Sequence, residues 1–239
     1  MRLVNTGTGH LHEFFEAERP QYAVLSHTWG NEELSYLDLL YLTSDIPASS
    51  AAIVQALLRN PSRDRAGFRK LQECCKLARS RGVEWIWVDT CCIDKSSSAE
   101  LSEAINSMYS WYQDAVECYV YLFDISTQSS DFAGMSVEDF GKARWFTRGW
   151  TLQELLAPKD VLFCNNQWEP IATKTTLARA LSRITGIPLI FLDGSHSPTD
   201  DKMCSVATRM SWLSRRQTTR IEDMAYCMLG LFTGKSNLA

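Results

Sequence analysis

A chain of 239 residues, 45% hydrophobic and 22% charged, has enough length and apolar content to bury a core, which excludes disorder as the default. A formal net charge of −4 provides no basic field for neutralising phosphates, so nucleic acid is excluded as a first partner. No run approaches the roughly 18 apolar residues of a membrane span, and Met1–Asn5 lacks the apolar core of a signal peptide, so the chain is expected to stay in the cytosol or nucleus, the cytoplasm first.

Taken in chain order, Tyr22-Ala-Val-Leu-Ser26 is a buried strand closed by His27-Thr28-Trp29-Gly30. Ser44–Arg65 reads as a loose insertion. Phe68, Leu71, Cys75 and Ala78 then form one helical stripe, stopped by Gly82. Glu84–Asp89 is a second apolar strand. Ser97-x-x-Glu100 has the spacing of a capping box and opens a helix carrying Leu101, Ile105, Met108 and Tyr112. Glu117–Phe123 and Asp160–Cys164 are the third and fourth strands, separated by a loose Ser126–Asp139 and by a short helix from near Arg148 that Pro158 closes. Continuous apolar runs suit strands covered on both faces, and their alternation with helices predicts an α/β fold built on an open parallel sheet with flanking helices.

After Asn165 the texture turns helical. Leu177, Leu181 and Ile184 form a stripe ending at Gly186; Met203, Val206, Met210 and Leu213 form another; a last helix is expected from a capping box at Thr219-x-x-Glu222 through Met228 to Gly230. The predicted organisation is an α/β core over 1–165 with a helical C-terminal extension, 166–239, packed on it.

The eight cysteines include no C-x-x-C pair and mostly sit in apolar runs, so they read as reduced core residues and no metal site is expected. Ligands of open α/β sheets settle beyond the carboxyl ends of the strands, which singles out three segments. In Ser26-His27-Thr28-Trp29-Gly30, the glycine lets backbone approach a phosphate and neighbouring amides can bind it; an ordinary strand–turn junction has the same composition. Asp89, ending an apolar strand, either contacts a ribose hydroxyl or caps the next turn, while Asp94 reads as a turn former. In Arg148-Gly-Trp-Thr-Leu-Gln-Glu154, Trp150 and Glu154 are four apart and share a helix face; the carboxylate either acts on a ligand or pairs with Arg148. His27 is the single histidine at these segments and reads as structural or solvent-facing.

Together, Tyr22-Ala-Val-Leu-Ser-His-Thr-Trp-Gly30, Trp87-Val-Asp-Thr-Cys-Cys-Ile-Asp94 and Arg148-Gly-Trp-Thr-Leu-Gln-Glu154 resemble the three blocks of the fungal heterokaryon incompatibility (HET) domain, and the tail from Arg209 to Gly230 resembles the segment that follows them. Related proteins usually continue beyond Leu231, whereas Thr233–Ala239 ends this chain, which fits a minimal module or a missing later region. The resemblance implies fungal nonself recognition and programmed cell death, a form of fungal innate immunity, and a distant similarity to TIR domains with their flavodoxin-like sheet. It implies cleavage of NAD⁺ at the nicotinamide–ribose bond, an NADase or hydrolase activity with Glu154 as the catalytic carboxylate. Ser26, Thr28, Trp29, Gly30, Asp89, Arg148 and Trp150 would bind the dinucleotide, Trp29 or Trp150 offering a stacking face and Arg148 holding phosphate or orienting Glu154. NAD⁺ is then the substrate, and no cofactor is implied. Expected partners are NAD⁺, further copies of the chain on activation, and an upstream nonself-recognition protein. The alternative is a death-signalling adaptor that works by self-association without catalysis.

Overall fold

The computed structural model describes residues 1–43, 66–126 and 135–233. Ser44–Arg65 and residues 127–134 of the second loose segment lie outside the described residues, as does 234–239. The chain divides into two compact units, Met1–Leu25 with Trp29–Ser102 and Ser26–Thr28 with Glu103–Ala239.

In the first unit the strands are β1 (Arg2–Asn5), β2 (Leu11–Glu13), β3 (Ala23–His27) and β4 (Trp85–Trp87), ordered β2-β1-β4-β3. β3 and β4 are parallel, with Ala23 opposite Ile86 and Val24 opposite Trp87. β1 is antiparallel to both β2 and β4. Every residue of β3 is buried, the condition anticipated for a strand covered on both faces. The helix Ala66–Ser80 buries Leu71, Cys74, Cys75 and Ala78, and Gly82 follows it at φ +78°, a left-handed conformation that a side chain resists.

β3 passes into the second unit at Ser26, where β5 (Glu117–Tyr121), β6 (Val161–Cys164) and β7 (Pro170–Thr173) follow it in the order β3-β5-β6-β7. β5 and β6 are parallel and paired from Cys118–Val161 to Tyr121–Cys164; β7 runs antiparallel to β6, its Pro170 at the strand's first position where a missing N–H is tolerated. The α/β class predicted from the sequence therefore holds, with antiparallel β1, β2 and β7 added. These three strands are only three or four residues long, which leaves them without the long apolar runs that revealed the others. No described helix is long and apolar enough to cross a membrane.

Capping explains several boundaries. Ser97 Oγ accepts from the Glu100 amide at 3.3 Å, yet the Glu100 carboxylate turns to Arg2 and to the Asp94 amide, so only half of the expected capping box opens the helix Ser98–Asp114. Lys174–Thr185 has a full capping box, Thr173 with Thr176, and ends at Gly186 in the left-handed region. Val137–Phe140 is a helix capped by Ser136, so the described end of Ser126–Asp139 is ordered structure rather than the loose loop expected there.

The C-terminal elements depart from expectation twice. Of the stripe Met203, Val206, Met210 and Leu213, only Leu213 is buried; the other three face out, at 43%, 54% and 59% exposure, and Arg209 is instead the buried residue of the helix Val206–Ser211. The last helix is two short ones, Asp223–Tyr226 and Leu229–Thr233, with no side-chain cap from Glu222. Gly230 sits inside the second because a Cβ there would lie 2.1 Å from Tyr109 Cβ. Close packing, not helix termination, is what that glycine serves.

Candidate functional site

At the carboxyl end of β3 the Ser26 side chain is fully buried, and it makes two contacts within the second unit. Its Oγ accepts a 2.7 Å hydrogen bond from Trp145 Nε1 and donates to Glu154 Oε2. The direction follows from chemistry: an indole nitrogen can only donate, so the single hydroxyl hydrogen goes to the carboxylate. Trp145 is itself held edge-on to Phe146 and Phe163, with ring centroids 5.1 and 5.7 Å away. The aromatic core thereby fixes a serine, and the serine fixes a carboxylate.

Glu154 rides on the helix Thr151–Leu156, whose six residues are all buried; Glu154 itself retains 7% exposure. This short helix is tied at both ends. Thr151 Oγ1 lies 2.7 Å from Trp145 O and 2.8 Å from Arg148 O, so it secures the turn before the helix. At the other end Lys174 Nζ donates to the Pro158 and Leu155 carbonyls, a cation where the helix dipole is negative. Burial pulls the Lys174 ammonium down to about 8, against smaller upward effects of Cys118 and Asp160. On β5, Cys118 Sγ approaches Glu154 O at 3.9 Å; burial first and the Glu154 charge second push this thiol well up.

The helix start is also clamped from the C-terminal segment. Gln217 N donates to Thr147 O at 2.6 Å and Gly149 N to Gln217 O at 2.8 Å, forming a parallel bridge between Arg148 and Gln217. Gly149 lets the two segments approach closely, since a Cβ would come 2.5 Å from Thr218 Cγ2. Arg216 is 5% exposed and donates through Nη1 to Arg148 O at 2.9 Å and Thr151 Oγ1 at 2.6 Å.

In the first unit, Trp29 is 48% exposed and donates from Nε1 to Asp89 Oδ2 at 2.9 Å. Lys95 Nζ lies 3.6 Å from the centroid of the Trp29 ring and 3.9 Å from Asp89 Oδ2, so cation, ring and carboxylate form one triad. Partial burial lowers the Lys95 ammonium from its ordinary value, with Asp89 acting in the opposite direction. The Gly30 amide donates to Glu33 Oε1 at 2.7 Å, and Glu33 also pairs with Lys70.

Of the residues singled out in the sequence, Ser26 and Glu154 are thus in contact, and Thr28, buried at the end of the same strand run, belongs to the same unit. Trp150 precedes the helix and accepts the Glu154 amide at 3.4 Å; the Arg148 guanidinium donates to Thr219 Oγ1 at 3.0 Å. Trp29, Gly30 and Asp89 belong to the first unit. His27 is buried, which removes the solvent-facing alternative. All eight cysteines are free and buried. Arg216 and Lys174 escaped the sequence reading, and Trp145 and Lys95 received no role in it although they adjoin the segments singled out: each acts through a partner distant in the chain or through a ring contact, and no spacing rule marks such pairs.

Residues 22–137 match the family described as heterokaryon incompatibility protein (HET), a span that takes in Ser26–Gly30 and Asp89. Over 217 residues the chain is 47% identical to the vegetative incompatibility protein HET-E-1 of Podospora anserina, an alignment covering 89% of this chain and 14% of that protein. The chain therefore spans about a seventh of that relative's length. No solved structure matches it. With the three blocks in order and this similarity along nearly all its length, the chain belongs to the heterokaryon incompatibility (HET) family.

Proposed function

We propose that this HET domain acts in fungal nonself recognition and programmed cell death, and that it does so by cleaving NAD⁺ at the nicotinamide–ribose bond in the manner of a TIR domain. The observation that carries the reading is the buried pair Ser26–Glu154 at the carboxyl end of β3, where β3 and β5 are neighbours although β4 lies between them in the chain. In this reaction the bond between ribose C1 and the pyridinium nitrogen breaks, and nicotinamide departs as a neutral molecule with the electron pair. Water adds to the ribosyl cation and gives up a proton. The leaving group needs little acid assistance, so the protein's task is to stabilise the oxocarbenium-like centre, which a fixed carboxylate suits. Ser26 supports Glu154 in that role by holding one oxygen. Trp150 and Arg148 stand beside the same helix as candidate stacking and phosphate-binding groups. In the first unit the Trp29 ring, backed by Lys95, is a candidate face for a planar base, with Asp89 fixing its indole.

The test is nicotinamide release by wild type and by Glu154→Gln, which keeps the size and removes the charge. Release by the wild type alone, with unchanged folding of the variant, supports the reading. Wild-type protein that leaves NAD⁺ intact even when clustered removes it.

One observation favours the adaptor reading: the exposed apolar stripe of Met203, Val206 and Met210 is the type of surface that self-association covers. Under that reading Glu154→Gln leaves cell killing intact, while Val206→Glu with Met210→Glu abolishes it.

A further inference from the structure

Arg216 carries a charge that the chemistry proposed above does not use. It is almost wholly buried, and its Nη2 has no hydrogen-bond acceptor. Its Nη1 grips the Arg148 carbonyl and Thr151 Oγ1, the two groups that set the first turn of the helix bearing Glu154. Burial lowers the guanidinium to about 10, while Cys227 and then Glu154 oppose that effect, so it stays charged at neutral pH. A buried cation is tolerated when an anion compensates it. Cys227 does not fill that role at neutral pH, because burial drives its thiol up to about 12 and leaves it neutral. Cys118, on β5 beside the same helix, is held neutral by burial in the same way. Glu154 follows Thr151 by three residues on the same short helix, so its carboxylate shares the helix face that Arg216 Nη1 grips.

We propose that Arg216 is the positioning residue of Glu154: its guanidinium is the counter-charge that keeps the buried carboxylate ionised and, through Thr151 and the Arg148 carbonyl, fixes the turn that aims it at the substrate. The inference rests on the reading of Glu154 as the acting carboxylate. Its chemical core, an Arg216–Glu154 charge pair, is measurable without any substrate.

The experiment compares wild type, Glu154→Gln, Arg216→Met, Arg216→Lys and the double variant Glu154→Gln/Arg216→Met. In urea denaturation, Arg216→Met should lower the folding equilibrium constant at least about tenfold more in the wild-type background than in Glu154→Gln, because only the former strands a buried carboxylate. In carbon-13 NMR of labelled glutamate, the Glu154 carboxyl should titrate about one pH unit or more higher in Arg216→Met, with Arg216→Lys restoring most of the difference. If wild type releases nicotinamide, the acid limb of its kcat profile should move by the same amount while KM changes little. Additive stabilities, or a Glu154 titration that Arg216→Met leaves in place, would overturn the proposal. Coupling and a shifted titration in a protein that leaves NAD⁺ intact would uphold the charge pair and defeat only the assigned reaction.

Discussion

The Ser26 hydroxyl donates its hydrogen bond to Oε2 of Glu154, a residue 128 positions further along the chain. Because Trp145 Nε1 occupies the acceptor side of the same hydroxyl, Ser26 stands between a donor that cannot accept and a carboxylate that accepts. Ser26→Ala therefore leaves an indole N–H and a carboxylate oxygen short of a partner in a buried setting. A loss of about 1–3 kcal/mol is expected in urea denaturation, along with reduced nicotinamide release. Stability within about 0.5 kcal/mol of wild type would contradict the assigned geometry.

Gly230 against Tyr109 gives a steric prediction. The clash of a new Cβ at 2.1 Å is with a Cβ attached to backbone, which cannot swing aside. Gly230→Ala is expected to destabilise by about 3 kcal/mol or more. Tyr109→Ala should not rescue it, since alanine keeps the Cβ; Tyr109→Gly should recover part of the loss. Thermal melting of the three variants decides.

Lys174 gives a pH prediction whose sign follows from its depressed pKa. Between about 8, the folded value, and the ordinary 10.5, the unfolded chain holds a proton that the folded chain has released, so stability from this residue rises with pH across that window. Below about 8 its burial cost is present in full. Relative to Lys174→Met, wild type should gain on the order of 3 kcal/mol from pH 7 to pH 11 in paired denaturation curves. A flat difference would show that the ammonium is not desolvated.

Trp29 separates folding from binding. Being half exposed, it should cost less than about 1 kcal/mol on replacement by alanine. If it stacks on the dinucleotide, Trp29→Ala should at the same time abolish the thermal shift that NAD⁺ gives wild type. Lys95→Ala, which removes the cation from the ring face 3.6 Å away, should weaken that shift without unfolding the protein.

Arg209 behaves unlike Arg216. It is fully buried and bonded through Nη1 to Asp201, whose side chain is 82% exposed, while its Nε and Nη2 lack acceptors. Asp201 stays hydrated when the arginine is removed, so no buried charge is stranded. Arg209→Met is therefore expected to be as stable as wild type or more so, by up to about 2 kcal/mol, in a thermal or urea assay. Marked destabilisation would mean that the guanidinium holds a polar network of its own.

Much of the fold was legible because burial writes itself into local pattern. β3, β5 and β6 are apolar runs, and Ala66–Ser80 shows its stripe and its closing Gly82, since each depends on residues within a turn or two. The capping box at Thr219-x-x-Glu222 failed for the opposite reason: the chain there turns to pair with residues 147–149, and tertiary contacts outweigh a local cap worth about 1 kcal/mol. Met203, Val206 and Met210 likewise have helical spacing, but spacing identifies a common face without saying which way it points.

By itself the sequence determined the α/β class, the succession of the buried strands along the chain and the buried reduced cysteines, because these follow from hydrophobic period, and its three motif blocks carried the resemblance to the family. Only the tertiary structure decided that Ser26 meets Glu154, that Trp145 holds Ser26, and that Arg216 and Lys174 tie down the two ends of one short helix. Hydrogen bonds and charge pairs between residues tens of positions apart leave no periodic trace, since any serine, arginine or lysine of the right reach would read the same until the chain folds.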